Sequence, residues 1–199
     1  MSKVETNTID TVSGSNTMQI GSTNTATINL GASGDTVNIP SGVTIANAGT
    51  ATGFGGANTP AFLARLSSTT QSISDDTYTK IQFNTEVYDT ASAYDNSSNY
   101  RFTVPSGQAG KYFIYSAVRM ASSSATLTLN LRLNGSNAGF SSLKAVSGEL
   151  QTITLMYSKD LSASDYLEVF IRQQSGGSLN ASGDSNDTTT YFGGFKIIE

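Results

Sequence analysis

The chain has 199 residues, a net charge of −4 and only 13 % charged residues, so it lacks the basic surface that nucleic acid or an acidic membrane would require. It contains no Cys and no His, which excludes a disulfide framework, a thiolate metal site, a cysteine nucleophile and a histidine general base. Residues 1–20 hold no continuous apolar stretch, so we predict no secretion signal, no membrane insertion and assembly in a cytoplasm.

Short apolar pairs recur through the first quarter of the chain, in a background of Thr, Asn, Ser and Gly. The two members of each pair are separated by one residue: Met18/Ile20, Ile28/Leu30, Val37/Ile39 and Val43/Ile45. Because a strand with one buried face is apolar at every second position, each pair predicts a very short strand. The pairs carry too little apolar surface for a core of their own, so we predict an intertwined trimeric β-stem. A disordered Ser/Thr-rich linker is the alternative interpretation.

Longer alternating strands follow a Gly-rich hinge near Gly55. In chain order they are predicted at Phe62–Leu66, Thr79–Phe83, Tyr100–Val104, Lys111–Met120, Leu127–Leu133, Gln151–Tyr157, Tyr166–Gln173 and Tyr191–Ile198. Asn134 and Gly135 supply the left-handed residues of a tight hairpin turn after the fifth of these. Between the last two strands, Ser175–Thr189 is predicted to be a polar loop.

The segment Lys111–Met120 is apolar on both faces. One face carries Tyr112, Ile114 and Val118 and the other Phe113, Tyr115 and Ala117. This pattern predicts a central strand with one of these faces on the core and the other on a neighbouring sheet or subunit. Roughly nine strands without helical periodicity predict an all-β, antiparallel sandwich, and most simply a jelly roll.

The C-terminal part resembles the C1q/tumour-necrosis-factor superfamily. The residues responsible are Pro60–Leu66, Phe83 followed by Asp89 and Tyr94, Tyr100–Pro105 with Gly110–Phe113, and the closing Tyr191–Ile198. The resemblance implies a jelly roll that packs as a compact homotrimer with aromatic side chains near the threefold axis. No Gly-X-Y repeat is present, so the stem is not collagen-like.

The N-terminal part is similar to fibre and other virion structural proteins of tailed phages, through residues 3–9, 21–28 and 34–45. This resemblance implies that residues 1–20 attach to other phage virion proteins, that 21–56 form the β-stem and hinge, and that 57–199 form a C1q-like knob. The function implied is that of a trimeric virion fibre protein. Such a protein would serve as a tail fibre, and its knob would bind a host surface glycan or receptor. A head fibre or capsid decoration protein is the first alternative, a polysaccharide depolymerase the second and a secreted adhesin the third.

Candidate sites are few, because the chain must rely on carboxylates and aromatics. Most of the Asp residues at 75, 76, 89, 95, 184 and 187 fall in predicted turns, where Asp commonly bonds its own backbone, so we predict no catalytic residue and no cofactor. Asp184 and Asp187 are weak candidates for a Ca²⁺ site, with a solvated hairpin tip as the ordinary alternative. Tyr88 and Tyr94 are candidates for glycan binding beside the polar segment Asp89–Asn99; the alternative is that Tyr88 and Tyr100 cover the barrel ends.

Overall fold

The computed structural model describes residues 20, 24, 27–46, 58–121, 123–186 and 189–197. The chain divides into two compact units, Met1–Ala51 and Thr52–Glu199. The hinge residues 47–57 and the apolar residue Met18 lie outside the described residues. The domain boundaries predicted at residues 20 and 56 stay predictions.

The first unit shows its apolar pairs to solvent. Every described residue from 27 to 46 is exposed, with Leu30 at 66 % and Val43 at 57 %. Turns at Ser33–Gly34 and Ser41–Gly42 separate the pairs, and no strand forms within this stretch of the single chain. The prediction that these residues have no core of their own is therefore confirmed for the described stretch, whereas the strands and their intertwining stay predictions.

The second unit is built entirely from strands in its described residues, and none of those residues belongs to a helix able to cross a membrane. The strands are β1 (Ala61–Arg65), β2 (Thr70–Ile73), β3 (Thr79–Lys80), β4 (Thr85–Asp89), β5 (Tyr94–Asp95), β6 (Arg101–Thr103), β7 (Gly110–Met120), β8 (Thr126–Leu133), β9 (Ser136–Lys144), β10 (Gln151–Leu161), β11 (Tyr166–Gln174), β12 (Leu179–Ser182) and β13 (Tyr191–Lys196).

The strands form two antiparallel sheets. The first sheet has seven strands in the order β2-β12-β7-β13-β1-β4, with β10 on the other edge of β7. The second has six, in the order β5-β6-β11-β8-β9, with β3 beside β11. Strand β7 pairs with β10 along its full length and with β13 and then β12 on its opposite edge, so the predicted central strand is confirmed.

The core lies between the two sheets and is centred on aromatic rings. Phe62 stacks on Phe102 at 4.5 Å between ring centroids and on Tyr94 at 5.4 Å, and it meets the edge of Phe192 at 5.0 Å. Each of these four residues is at most 5 % exposed. Strand β7 turns Tyr112, Ile114 and Val118 into this core, a choice between its two apolar faces that the sequence leaves open.

Two local predictions fare differently. The hairpin between β8 and β9 is confirmed, with Asn134 at φ 51° and Gly135 at φ 78° in its turn. The prediction of a polar loop over Ser175–Thr189 is wrong for the middle of that range, because Leu179–Ser182 forms β12 and pairs with β2. This short strand gives only two inward side chains, Leu179 and Ala181, which a pattern of alternation cannot separate from a loop.

Candidate functional site

The outer face of the first sheet carries a cluster of four aromatic side chains. Phe113 and Tyr115 of β7 lie beside Tyr191 and Phe195 of β13. The ring centroids are 5.7 Å apart for Phe113 and Phe195, 6.2 Å for Phe113 and Tyr115, and 6.1 Å for Tyr115 and Tyr191. All four residues remain partly exposed, so the outer side of this aromatic cluster is open to solvent in the single chain.

Cross-strand register extends this cluster into a row across five strands. Tyr88, Leu63, Gly193, Tyr115 and Met156 are successive partners in β4, β1, β13, β7 and β10. The two ends of the row are the most open, with Tyr88 43 % and Met156 71 % exposed. We call these five residues the aromatic row. None of them is charged, and together they form a continuous apolar and aromatic band across the centre of this face.

Tyr115 is held within this row. Its hydroxyl hydrogen-bonds with Tyr88, and burial first, then that hydrogen bond, raises the pKa of Tyr115 above its ordinary value. The phenol stays neutral at physiological pH, so the row presents rings and hydroxyl groups to whatever covers it.

The outer face of the second sheet has a different chemistry, since cations lie on aromatic rings there. The guanidinium carbon of Arg132 is 3.9 Å from the ring centroid of Phe170 and 5.6 Å from that of Tyr78. On the opposite side of β11, the guanidinium of Arg101 lies 4.3 Å from the ring centroid of Tyr166. Contacts of this kind hold a guanidinium in place while its edges stay available for an anion.

Two ion pairs lie on the same face. Lys80 Nζ is 2.5 Å from Glu168 Oε1, and Arg172 Nε is 2.7 Å from Asp76 Oδ1. Glu168 is 7 % exposed, whereas the Asp76 side chain is 60 % exposed. The carboxylate of the first pair is thus nearly buried, whereas that of the second lies at the surface.

A cavity of about 340 Å³ opens beside Arg101. The loop residues 91–95 line one side, and Arg101, Thr103 and Pro105 line the other. Asp95 fixes the loop, because its carboxylate accepts hydrogen bonds from the backbone N–H groups of Ser97, Ser98 and Asn99. These bonds, that from Ser98 first, hold the pKa of Asp95 well below its usual range.

Comparison with known proteins identifies the fold. The crystal structure of murine APRIL at pH 5.0 is 16 % identical, with a TM-score of 0.51 over 69 % of this chain and 99 % of that one. The structure of Eiger TNF from S. frugiperda is 15 % identical, with a TM-score of 0.50 over 69 % and 91 %. The knob is a jelly roll of the C1q/TNF type. The globular domain of zebrafish complement 1qA protein is also similar, at 18 % identity and a TM-score of 0.49 over 69 % and 97 %. No family model and no curated protein sequence matches the chain significantly.

The structure separates the two tyrosines that the sequence offers for glycan binding. Tyr88 is exposed on the first sheet, whereas Tyr94 is 5 % exposed and its hydroxyl donates to the carbonyl oxygen of Phe83 at 3.2 Å. Burial raises the pKa of Tyr94, with a further increase from Asp95. The expectation that Tyr94 presents an exposed ring is wrong, because that ring belongs to the core. Glycan binding itself stays a prediction.

Of the two predicted metal candidates, Asp184 lies among the described residues. Asp184 Oδ1 accepts from the N–H of Asn186 at 3.0 Å, and its carbonyl oxygen accepts from Arg65. Asp187 lies outside the described residues. Nowhere in the described part of the chain do three or more carboxylates form a group that could hold a metal ion. The Ca²⁺ site remains untested.

The described carboxylates from the predicted turns have structural roles. Asp75 Oδ1 accepts from the N–H groups of Ser175 and Gly176, and the Asp89 carboxylate accepts from those of Ala91 and Tyr94. These contacts tie loops to strand ends, as Asp commonly does in turns.

Sequence reasoning missed the cation and ring contacts of the second sheet. The outward positions Asn130 and Arg132 of β8 do alternate with leucines, which places them on the outer face. That Phe170 and Phe140 flank Asn130 depends on strand pairing, which the sequence pattern does not reveal.

Proposed function

We propose that this protein is a non-enzymatic, trimeric virion fibre protein of a tailed phage, whose C-terminal jelly roll contacts the host cell surface. The observation that carries the proposal is the aromatic row, which leaves Met156 71 % and Tyr88 43 % exposed around partly exposed rings. Contiguous apolar surface of this kind marks an interface, because water contact with it is costly. The TNF-type fold supports three copies as the assembly that covers it.

The stem supports the same stoichiometry. Its apolar side chains at 28, 30, 37, 39, 43 and 45 are 45–66 % exposed in the single chain. Two sister chains wound around it would supply the apolar surface that these side chains lack. Threefold assembly would also present three identical knobs, whose individually weak surface contacts add by avidity.

The virion assignment rests on the resemblance of residues 3–9, 21–28 and 34–45 to phage fibre sequences. A head fibre or capsid decoration protein is the second candidate. A depolymerase is less favoured, since Asp75, Asp89 and Asp95 are engaged by backbone N–H groups of their own loops.

Native mass spectrometry of the full-length chain tests the assembly. The wild type should give the mass of three chains, and Met156→Glu should shift the population towards single chains, because three carboxylates would enter an apolar interface. Val146→Glu is the matched control, since Val146 is 61 % exposed in the loop between β9 and β10. A wild type that remains a single folded chain would refute the trimer.

Antibody labelling of intact particles tests the location, and purified protein added before infection tests attachment. A fibre protein should be labelled at a projecting tip, and excess protein should slow adsorption of the phage. Labelling over the shell would favour the decoration protein. Release of reducing sugar from host polysaccharide would instead favour the depolymerase.

A further inference from the structure

We propose that the outer face of the second sheet binds an acidic polysaccharide, with uronate carboxylates on Arg101 and Arg132 and a sugar ring on Phe140. This inference deepens the proposed function, and it rests on that function for the source of the ligand, the cell surface. The ligand is an acidic polysaccharide, and its binding site lies on the second sheet, which the trimer would leave open, and does not include Tyr94.

The charge on this face favours an anion. Of its carboxylates, Glu168 pairs with Lys80 and Asp76 pairs with Arg172, and Asp95 is surrounded by the N–H groups of its loop. Asp95 is the cross-strand partner of Arg101 and Glu168 that of Arg132, but among the described residues neither arginine forms an ion pair, and each has a ring contact instead. The four cations Lys80, Arg101, Arg132 and Arg172 thus exceed these three carboxylates by one charge, on a chain whose net charge is −4.

Both guanidinium groups are positioned before any ligand arrives. The guanidinium of Arg132 lies over the Phe170 ring, and its Nε donates to Asn130 Oδ1 at 3.3 Å. Asn130 is 2 % exposed and its amide donates to the carbonyl oxygen of Gly139 at 3.2 Å, so the backbone of β9 fixes the orientation of Arg132. A preorganised guanidinium loses little conformational entropy when it pairs with a carboxylate through two parallel hydrogen bonds.

The spacing of the two arginines suits an extended polymer. Arg132 is the cross-strand partner of Glu168 in β11, and Arg101 precedes Phe102, which pairs with Leu167 on the other edge of β11. Their backbones are therefore two strand spacings apart, about 10 Å. Isolated charges at this distance fit carboxylates on separate sugar units better than the dense phosphates of a nucleic acid, for which a continuous basic stripe is needed.

The remaining contacts suit sugar rings. Phe140 is the cross-strand partner of Asn130 on β9 and is 74 % exposed, so one ring face is open beside Arg132. At the other end, the cavity of about 340 Å³ beside Arg101 is at the lower end of the range for small-ligand sites. Carbohydrate recognition combines such an apolar ring platform with a few fixed polar groups, and this face provides both.

Biolayer interferometry with the full-length protein on immobilised polygalacturonate tests the inference. Its methyl ester is the matched probe, since esterification removes the charge and keeps the sugar. The acid should bind and the ester should not. Arg101→Gln and Arg132→Gln should each weaken binding about tenfold or more, the loss of a charge-assisted hydrogen-bond pair. Phe140→Ser should weaken it several-fold.

Lys159→Gln and Val146→Ser are the controls for charge and for apolar surface, and both should bind as the wild type does. Thermal melts establish that each variant is folded. No binding to polygalacturonate, equal binding to its ester, or unchanged binding by Arg132→Gln would overturn the inference. If dextran sulfate and duplex DNA bound as tightly as polygalacturonate and also depended on Arg132, the inference would be overturned, because the site would then attract any polyanion. A single-chain protein that binds polygalacturonate through Arg132 would refute the trimer alone, and a trimer without this binding would refute this site alone.

Discussion

Gly193 and Gly194 are neighbours in β13, but a Cβ atom at one would lie on the outer face of the sheet and a Cβ atom at the other in the core. A Cβ at Gly193 would lie 2.6 Å from the Tyr115 hydroxyl oxygen, on the outer face, whereas one at Gly194 would lie 2.6 Å from Ile114 Cδ1, in the core. The absence of both side chains lets the Tyr115 ring and the Ile114 side chain cross the strand on opposite faces.

Alanine substitutions at these two positions should therefore have separate effects. Gly193→Ala displaces the Tyr115 ring, so we expect weaker self-association with little change in the free energy of unfolding. Gly194→Ala overfills the core and should lower the free energy of unfolding by about 1–3 kcal/mol. Denaturant unfolding and sedimentation velocity measure the two quantities.

Gly177→Ala serves as the control for both, because nothing lies within 4 Å of a Cβ at that position. An equal loss of stability in the Gly193 and Gly194 variants would contradict the assignment of Gly193 to an association surface.

Alkaline pH should destabilise the knob through Tyr112. This side chain is fully buried and its hydroxyl donates to the carbonyl oxygen of Gln108 at 2.6 Å. Burial raises the pKa of Tyr112 to about 12. Since the unfolded chain loses this proton near pH 10 and the folded chain near pH 12, the contribution is complete below pH 10 and is lost as pH rises to 12.

The free energy of unfolding should fall by about 1.4 kcal/mol per pH unit for this residue in that window. Denaturant unfolding at a series of pH values measures the slope, and Tyr112→Phe should reduce it. A variant with an unchanged slope would show that other groups control alkaline unfolding.

Two ion pairs of similar length should differ strongly in their response to substitution. Lys80→Met leaves the nearly buried carboxylate of Glu168 without its partner, so we expect a loss of about 3 kcal/mol in the free energy of unfolding. Arg172→Met frees a carboxylate of Asp76 that is already 60 % exposed, and should cost less than about 1 kcal/mol.

Chemical denaturation of the two variants side by side provides the comparison, and each is the control for the other. Equal losses would mean that water reaches Glu168 as easily as it reaches Asp76.

Asp95 should stabilise the loop beside the cavity. Asp95→Ala removes the acceptor for the N–H groups of Ser97, Ser98 and Asn99, so we expect a loss on the order of 1 kcal/mol in stability. Because the pKa of Asp95 is depressed, its contribution is present above the unfolded value near 4 and is lost as pH falls towards the lower folded value.

Unfolding measured between neutral and acid pH should show a smaller loss in Asp95→Ala than in the wild type. Asp160→Ala, at an exposed position of β10, should follow the wild-type curve. Weaker polygalacturonate binding by Asp95→Ala alone would tie the loop to the cavity beside Arg101.

Local patterns in the sequence predict much of the fold. The leucine alternation of β8, the Asn134–Gly135 turn and the doubly apolar β7 each depend on neighbouring residues, and each is confirmed. Strand β12 is missed because its pairing with β2 is supplied by a distant segment, and tertiary context decides such short strands.

The outer faces of the two sheets show the same contrast between features set by local sequence pattern and features set by pairing between distant strands. That Phe113 and Tyr115 share one face of β7 follows from alternation within one strand, whereas the position of that face away from the core depends on tertiary packing. The stacking of Arg132 on Phe170 and the cavity beside Arg101 depend on the register between strands, which alternation leaves undetermined. Tyr94 shows the opposite error, because a polar neighbourhood in sequence surrounds a ring that tertiary packing buries.

The pairing of β1 with β13 places Ala61 opposite Phe195, so the start of the first strand and the end of the last strand of the knob are about 5 Å apart. A module with adjoining termini can be inserted into a loop of an unrelated host protein without stretching either linker. The jelly roll of this chain is therefore suited to transplantation as a cassette and to circular permutation, with its new ends opened at the exposed turn around Gly148.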